Sequence, residues 1–350
     1  MNKPGWIRIG LILLLLLALL VSAGLGALSI SPVQLIAILG NAVGLSTEAD
    51  YSETMSIVFW QIRLPRLLLA LLVGSSLALS GAALQGLFRN PLADPTLIGI
   101  SSGAALAAVL MIVLLTYLPF FSAENSWLSK YYWLNLFTFI GACACSFLVF
   151  RLARTGGKTM VATLLLAGLG VNALCAACTS LVTYLANEEE LRSISFWSMG
   201  SLAGASWQVL AAIVPFTLLP FFILPALGKS LNAYSLGEAE AAYIGINVKR
   251  LKWTIITLST LSVGAAVATC GIIGFVGLVV PHILRTICGT DHRHLLLNSA
   301  LLGAVLLLLA DTISRTIIAP AELPIGIVTA LVGTPIFIVL LYRQKKKITL

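Results

Sequence analysis

The sequence predicts an all-α, polytopic membrane protein of about ten transmembrane helices, and three observations carry that prediction. Hydrophobic residues make up 59% of the 350-residue chain and charged residues only 10%, against the roughly 25% charged expected of a soluble domain. Apolar runs close to the length of a membrane span recur from one end to the other. The basic residues collect in short segments between those runs, as topology signals do. The length alone would allow two soluble domains, but their water-facing shells would need charge that is not present. The 29 glycines suit close packing of membrane helices.

In chain order, the first run covers about residues 9–28 and follows Lys3 and Arg8. In isolation it resembles a signal peptide, but the spans that follow mark it as a retained first helix. Further spans are predicted at 66–88, 96–118, 133–152, 160–186, 208–228, 251–272, 274–287, 296–317 and 323–342. The run at 274–287 is short and rich in glycine (Gly271, Gly274, Gly277). It reads as a half-helix or broken helix, which is tolerated only where protein buries it. The whole chain, 1–350, reads as one membrane domain.

Lys3 and Arg8 place the N-terminus in the cytoplasm. Ten spans then put Arg89, the stretch Arg151–Lys158, the loop 229–250, the stretch Arg285–His294 and the basic tail on the same side. The outer loops, 29–62, 119–132, 187–207 and 316–322, hold most of the glutamates. Arg63, Arg66, Arg192 and Arg315 fall at the outer side against this pattern. Each alone reads as an interfacial, snorkelling side chain. Arg63-Leu-Pro-Arg66 places two guanidinium groups at an expected helix start, an unfavourable end for positive charge, and a paired outward basic site suits an acidic partner docking from outside.

Catalytic chemistry finds little support. The chain has three histidines and no Ser/His/Asp set. His292-x-His294 reads as a solvated loop, not a metal site. Gly156-Gly157-Lys158-Thr159 ends like a phosphate-binding loop, but G-x-x-x-x-G-K-[ST] needs glycine where Leu152 stands, and no strand is expected before it. ATP binding by this chain is therefore not expected, nor is any resident cofactor or metal. The net charge of +8 lacks the basic stripe with interleaved aromatics that nucleic acid requires. The cysteines read as small buried side chains; Cys175-x-x-Cys178 has redox spacing without the strand-to-helix context. Gln85 and Asn172 read as interhelical hydrogen bonds, and Asp311 with Arg315 as a helical i,i+4 pair. Ser235–Lys249 contains the pattern of a short exposed helix, with Gly245 as its C-terminal stop. That is a docking element for a cytoplasmic partner.

Four stretches together carry a family resemblance: Gln61-Ile-Arg-Leu-Pro-Arg-Leu67, Ser80-Gly-Ala-Ala-Leu-Gln-Gly-Leu-Phe-Arg-Asn-Pro-Leu-Ala-Asp-Pro95, Gly274-Phe-Val-Gly-Leu-Val-Val-Pro-His-Ile-Leu-Arg285, and Ala321-Glu-Leu-Pro-Ile-Gly-Ile-Val-Thr-Ala330. Nearly the whole chain resembles the FecCD-type permeases, the membrane subunits of type II ABC importers for iron chelates, haem and cobalamin. The resemblance implies a multi-pass subunit of the bacterial inner membrane with the cobalamin-permease fold. It would pair with a second, identical copy as a homodimer, with the pathway between them. A cytoplasmic ATPase dimer, which holds ATP and Mg, would bind below and a periplasmic binding protein above.

Residue by residue, the resemblance gives Arg63, Arg66 and Arg315 to docking of the binding protein. It gives Gly237, Glu238, Ala241 and Gly245 to ATPase coupling, and Asn90, Leu92, Val161 and Ala162 to the cytoplasmic gates. Val161 and Ala162 are apolar where the cobalamin-type pattern has small hydroxyl residues. Leu191-Arg-Ser-Ile-Ser-Phe-Trp-Ser-Met-Gly-Ser-Leu202 looks most like the haem-transporting branch. There Arg192 would offset the cargo's propionates and Phe196 or Trp197 would flank its ring. The same segment also reads as an outer re-entrant helix with interfacial aromatics. A siderophore or cobalamin is the alternative cargo. An ion-coupled secondary transporter is the alternative class, but it calls for mid-membrane carboxylates, of which the sequence has almost none.

Overall fold

The computed structural model describes residues 3–26, 28–44, 51–117, 130–155 and 158–348. Ten helices that correspond to the ten expected spans are present among them: α1 (Lys3–Gly24), α3 (Glu53–Phe88), α4 (Ile100–Tyr117), α5 (Lys130–Leu152), α6 (Val161–Leu185), α8 (Trp207–Ala226), α11 (Val248–Cys270), α12 (Val276–Cys288), α13 (His292–Thr316) and α14 (Ile325–Ile348). Seven of these are long and apolar enough to cross a membrane by themselves. Shorter helices α2 (Pro32–Ala42), α7 (Glu188–Ser198), α9 (Gly228–Leu236) and α10 (Glu238–Tyr243) lie between them.

The expected outer loop 29–62 is largely helical. α2 begins with a capping box in which Ser31 and Gln34 bond each other's backbone N–H, and Pro32 occupies the first turn. Ser52 caps the start of α3, which runs unbroken for 36 residues and widens to π geometry over Val58–Arg63. At 1.5 Å per residue α3 is about 54 Å long, well beyond a hydrocarbon core of about 30 Å, so its first turns project past the bilayer. Arg63 and Arg66 therefore sit within a helix and not at its start, and the expected conflict with a helix N-terminus does not arise.

α3 is the central element and packs most extensively on α13. Their backbones meet at Gly74 and Gly303: a Cβ on Gly303 would stand 2.4 Å from the Gly74 carbonyl oxygen and from the Ala78 Cβ. α1, α11, α12 and α8 complete the ring around α3, while α4, α5 and α6 form a second group joined to it through α11. The outward faces of α1, α5, α6 and α8 carry exposed Leu13, Leu16, Phe147, Leu169, Leu174 and Phe222, an apolar exterior suited to lipid.

The short eighth span is a half-helix. α12 has 13 residues, about 20 Å of the required 30 Å. Residues 271–275 ahead of it are not helical, and Gly271 and Phe275 both have positive φ. Protein buries this break, as a membrane demands. The Cys270 carbonyl accepts from Ser201 N–H at 2.8 Å, and the chain after α7 binds the start of α14 through Ile325 N–H to Gly200 O and Gly326 N–H to Met199 O, both 3.0 Å.

Gln85 and Asn172 make the expected interhelical bonds. Gln85 donates to the Gly277 and Leu278 carbonyls at 3.3 Å and accepts from Arg285. Asn172 donates to Thr96 O at 3.0 Å and accepts from the Ser102 hydroxyl. The phosphate-loop look-alike is instead part of an antiparallel β-ladder pairing Arg154–Thr155 with Lys158–Thr159. A strand thus does precede it, contrary to expectation, but Lys158 and Thr159 lie in the paired strand and not at the start of a helix; Gly156 and Gly157 lie outside the described residues. Cys175 approaches Cys145 across the α5–α6 contact, at 3.5 Å between sulfurs, rather than Cys178. All six thiols are free.

Candidate functional site

The end of the bundle that the charge pattern assigns to the outside contains a buried ionic cluster. α1 arrives there with its last carbonyls unsatisfied, the usual state of a helix C-terminus. Arg63 donates to Ala23 O at 2.6 Å, to Gly24 O at 3.1 Å and to Leu28 O. Arg315 donates to the Ser22 carbonyl and, at 2.8 Å, to its hydroxyl. Two guanidinium groups therefore cap the negative end of α1. Gly26 makes room for them, since a Cβ there would meet Arg63 Nη2 at 2.8 Å.

Arg66 lies between two carboxylates. Its Nε donates to Asp311 at 2.9 Å, and Nη1 and Nη2 grip Glu322 in a bidentate pair at 2.8 and 3.0 Å. Asp311 is fully buried and also faces Arg315 at 3.4 Å, the expected i,i+4 pair. The three arginines that the sequence marked as an exposed basic site are thus brought together, but all are buried and internally partnered. Their outer-side position reflects helix capping and a buried ion pair. Apart from Asp311 beside Arg315, sequence reading missed the partners because they lie far away in the chain.

At the opposite end, α10 carries the expected coupling residues. Gly237 separates it from α9, and Gly245, at φ +88°, ends it with its N–H on Ala242 O. Ala241 is fully buried and anchors the helix. Glu238 is bound by Lys252 at 2.8 Å, which fixes α10 against α11. The exposed side presents Leu236, Tyr243 and Ile244, with Tyr243 93% exposed.

The expected gate residues occupy two turns. Asn90 follows the C-terminal cap of α3, and its side chain accepts from Leu92 N–H at 2.9 Å. Val161 and Ala162 open α6, half-buried and exposed respectively. α6 buries Leu164, Gly168, Val171 and Cys175, one stripe at helical spacing. Its other faces, with Leu166, Leu169, Leu174 and Leu181, are exposed.

The α7 residues divide. Arg192 lies 5.7 Å over the Phe196 ring, both on the exposed side. Trp197 faces the other way, into a cleft of about 300 Å³ shared with Glu189, Glu190 and Tyr131. Arg192 and Trp197 therefore do not line one surface. Among the described residues no His/Cys/Asp/Glu group has the arrangement of a metal site.

The model of the FecCD transport family matches residues 13–343. The chain belongs to the FecCD transport family. It is 46% identical over 338 residues to the hemin transport system permease protein HmuU of Yersinia pestis, covering 96% of this chain and 95% of that one. It is 40% identical over 342 residues to the molybdate import system permease protein MolB of Haemophilus influenzae, covering 97% and 96%. A solved structure described as an inward-facing conformation of an ABC transporter superposes with a TM-score of 0.82 at 37% identity, over 97% of this chain and 99% of that chain. This FecCD member is accordingly a permease subunit with the importer fold. It is a transport component and not an enzyme, and a separate subunit carries the ATPase.

Proposed function

We propose that this FecCD permease imports haem or a closely related iron chelate across a bacterial cytoplasmic membrane, as one of two identical copies that form the pathway between them. The single observation that carries the cargo reading is the 46% identity to a hemin permease along almost the entire chain. MolB, at 40%, works on a very different cargo, so the fold alone does not select one. Arg192, exposed at the outer end beside Phe196, would offset the negative charge of a carboxylate-bearing cargo at the entrance, with Trp197 a neighbour of that entrance rather than its wall.

The exposed faces of α6 support the paired arrangement, because a second copy and the pathway would cover them. The chain acts as a single permease domain with both termini cytoplasmic. The loop 229–250 presents Gly237, Glu238, Ala241 and Gly245 as the frame of the coupling helix. ATP binding in the partner subunits would draw two such helices together and reset the turns at Asn90, Leu92, Val161 and Ala162. A cargo drives that cycle only through its different affinity for the two states.

Reconstitution in proteoliposomes with the cognate ATPase and binding protein tests the reading. Haem is expected to raise ATP turnover, with ferric siderophore and cobalamin having little effect. A siderophore response without a haem response would overturn the cargo assignment. Failure of any ATPase to co-purify would reopen an ion-coupled mechanism.

A further inference from the structure

Among the described residues, the outer ionic cluster holds Arg63, Arg66 and Arg315 against Asp311 and Glu322, so these five groups carry one excess positive charge. Its two carboxylates differ in kind. Asp311 lies within α13, is fully buried and touches both Arg66 and Arg315. It cannot leave without stranding two buried cations. Glu322 stands on the segment between α13 and α14, and its side chain is 39% exposed. The residues before it, Ile317–Ala321, are all exposed. The segment is pinned one residue later, where Leu323 N–H donates to Ser314 O at 2.9 Å and the Ser314 hydroxyl to Leu323 O. Glu322 can therefore swing away by side-chain rotation alone, while the backbone stays in place.

We propose that Glu322 is a displaceable carboxylate. It closes the outer edge of Arg66 when no partner is present, and an acidic side chain of a protein docking from outside takes its place. The inference rests on the reading that a binding protein docks at this end.

The chemistry of the exchange is balanced. The Nη1/Nη2 edge of a guanidinium offers two parallel N–H donors that match one carboxylate, and Glu322 occupies that edge of Arg66. An incoming carboxylate in the same geometry would leave Arg66 bonded throughout, with Asp311 still on its Nε side. When Glu322 leaves, the cluster bears two excess positive charges, which attract an acid and repel a base. The exposed Ile317 and Ile318 beside it supply apolar contact for the rim of the partner. As a tethered competitor, Glu322 has an effective concentration on the order of millimolar, and it weakens docking by that competition. The device would keep the site shut to dilute acidic solutes while admitting a partner that brings further contacts.

The test uses the full permease–ATPase complex in nanodiscs and measures the Kd of its cognate binding protein at low and high salt. Glu322→Ala is expected to tighten docking by about two- to fivefold, the scale of one exposed ion pair. That gain should vanish near 1 M salt, where screening is short-ranged. Glu322→Gln, which keeps the shape, should give the same direction with a smaller gain. Unchanged thermal unfolding of both variants shows that the fold is retained. Salt-sensitive docking of the wild type that Glu322→Ala leaves unchanged or weakens would overturn the displaceable carboxylate while leaving the docking reading in place. Wild-type docking with no salt sensitivity would overturn the docking reading, and the proposal with it.

Discussion

Arg66 and Asp311, 245 residues apart in the chain, meet at 2.8 Å in the buried outer end of the bundle and join the central helix α3 to α13. Burying such a pair yields little net stability, but removing one partner leaves an uncompensated charge. Asp311→Ala is expected to destabilise the permease by about 3–5 kcal/mol, because Arg66 and Arg315 then both lose the buried carboxylate they share. Thermal unfolding in detergent measures it. The double variant Arg66→Met/Asp311→Leu should cost less than the sum of the two single changes, as coupled sites do.

Gly303 predicts a second effect on the same helix pair. Its added Cβ would clash with backbone, the Gly74 carbonyl, at 2.4 Å, and backbone cannot rotate aside as a flexible side chain can. Gly303→Ala should therefore push α13 off α3 and destabilise by about 1–3 kcal/mol, the range of overpacking. Gly170→Ala is the control, since nothing lies within 4 Å of a Cβ there. It should leave the unfolding midpoint unchanged or raise it slightly, since alanine favours a helix interior over glycine.

The sequence made the spans legible because a lipid exterior imposes long apolar runs, and even the half-helix α12 was visible in its glycines. The i,i+4 pair of Asp311 with Arg315, the bonds of Gln85 and Asn172, and the stop at Gly245 were also legible, since each depends on local spacing or on the cost of an unpaired group in lipid. α2 was missed although Ser31-Pro32-x-Gln34 is a helix-start signature; its 11 residues are too few for a search tuned to spans. The partners of Arg63 and Arg315 were out of reach. They are mainly main-chain carbonyls of α1, which no side-chain pattern announces. Glu322 was visible only as one of several outer glutamates, and its grip on Arg66 depends on how α3 packs on α13 and the segment that follows it.

At the end of the bundle opposite the arginine cluster, Asp291 gives a prediction about acid. The Arg293 guanidinium at 2.6 Å, with a further bond from Asn232, holds its carboxyl well below the usual carboxylate range. A depressed folded-state value means a stabilising contribution that is full above the unfolded value of 3.8 and is lost as pH falls through the lower folded one. Asp291→Asn should thus lower the unfolding midpoint at pH 7, and the gap to wild type should close progressively below about pH 4. The effect is small, because the ion pair is largely solvated. A gap that widens in acid would contradict this assignment.

Tyr243 separates coupling from folding. It is 93% exposed at the end of α10, so replacing it removes no internal packing. Ala241, two residues earlier, is fully buried and holds the helix in place. Tyr243→Asp should leave thermal unfolding of the isolated permease unchanged yet weaken co-purification of the ATPase at least tenfold, since it puts a charge in an apolar contact where desolvation is costly. Ala241→Leu should lower both, because the added volume has no space beneath α10. If Tyr243→Asp leaves the assembly intact and cargo-stimulated ATP turnover at the wild-type rate, the exposed side of α10 is not the surface that meets the energy-supplying subunit.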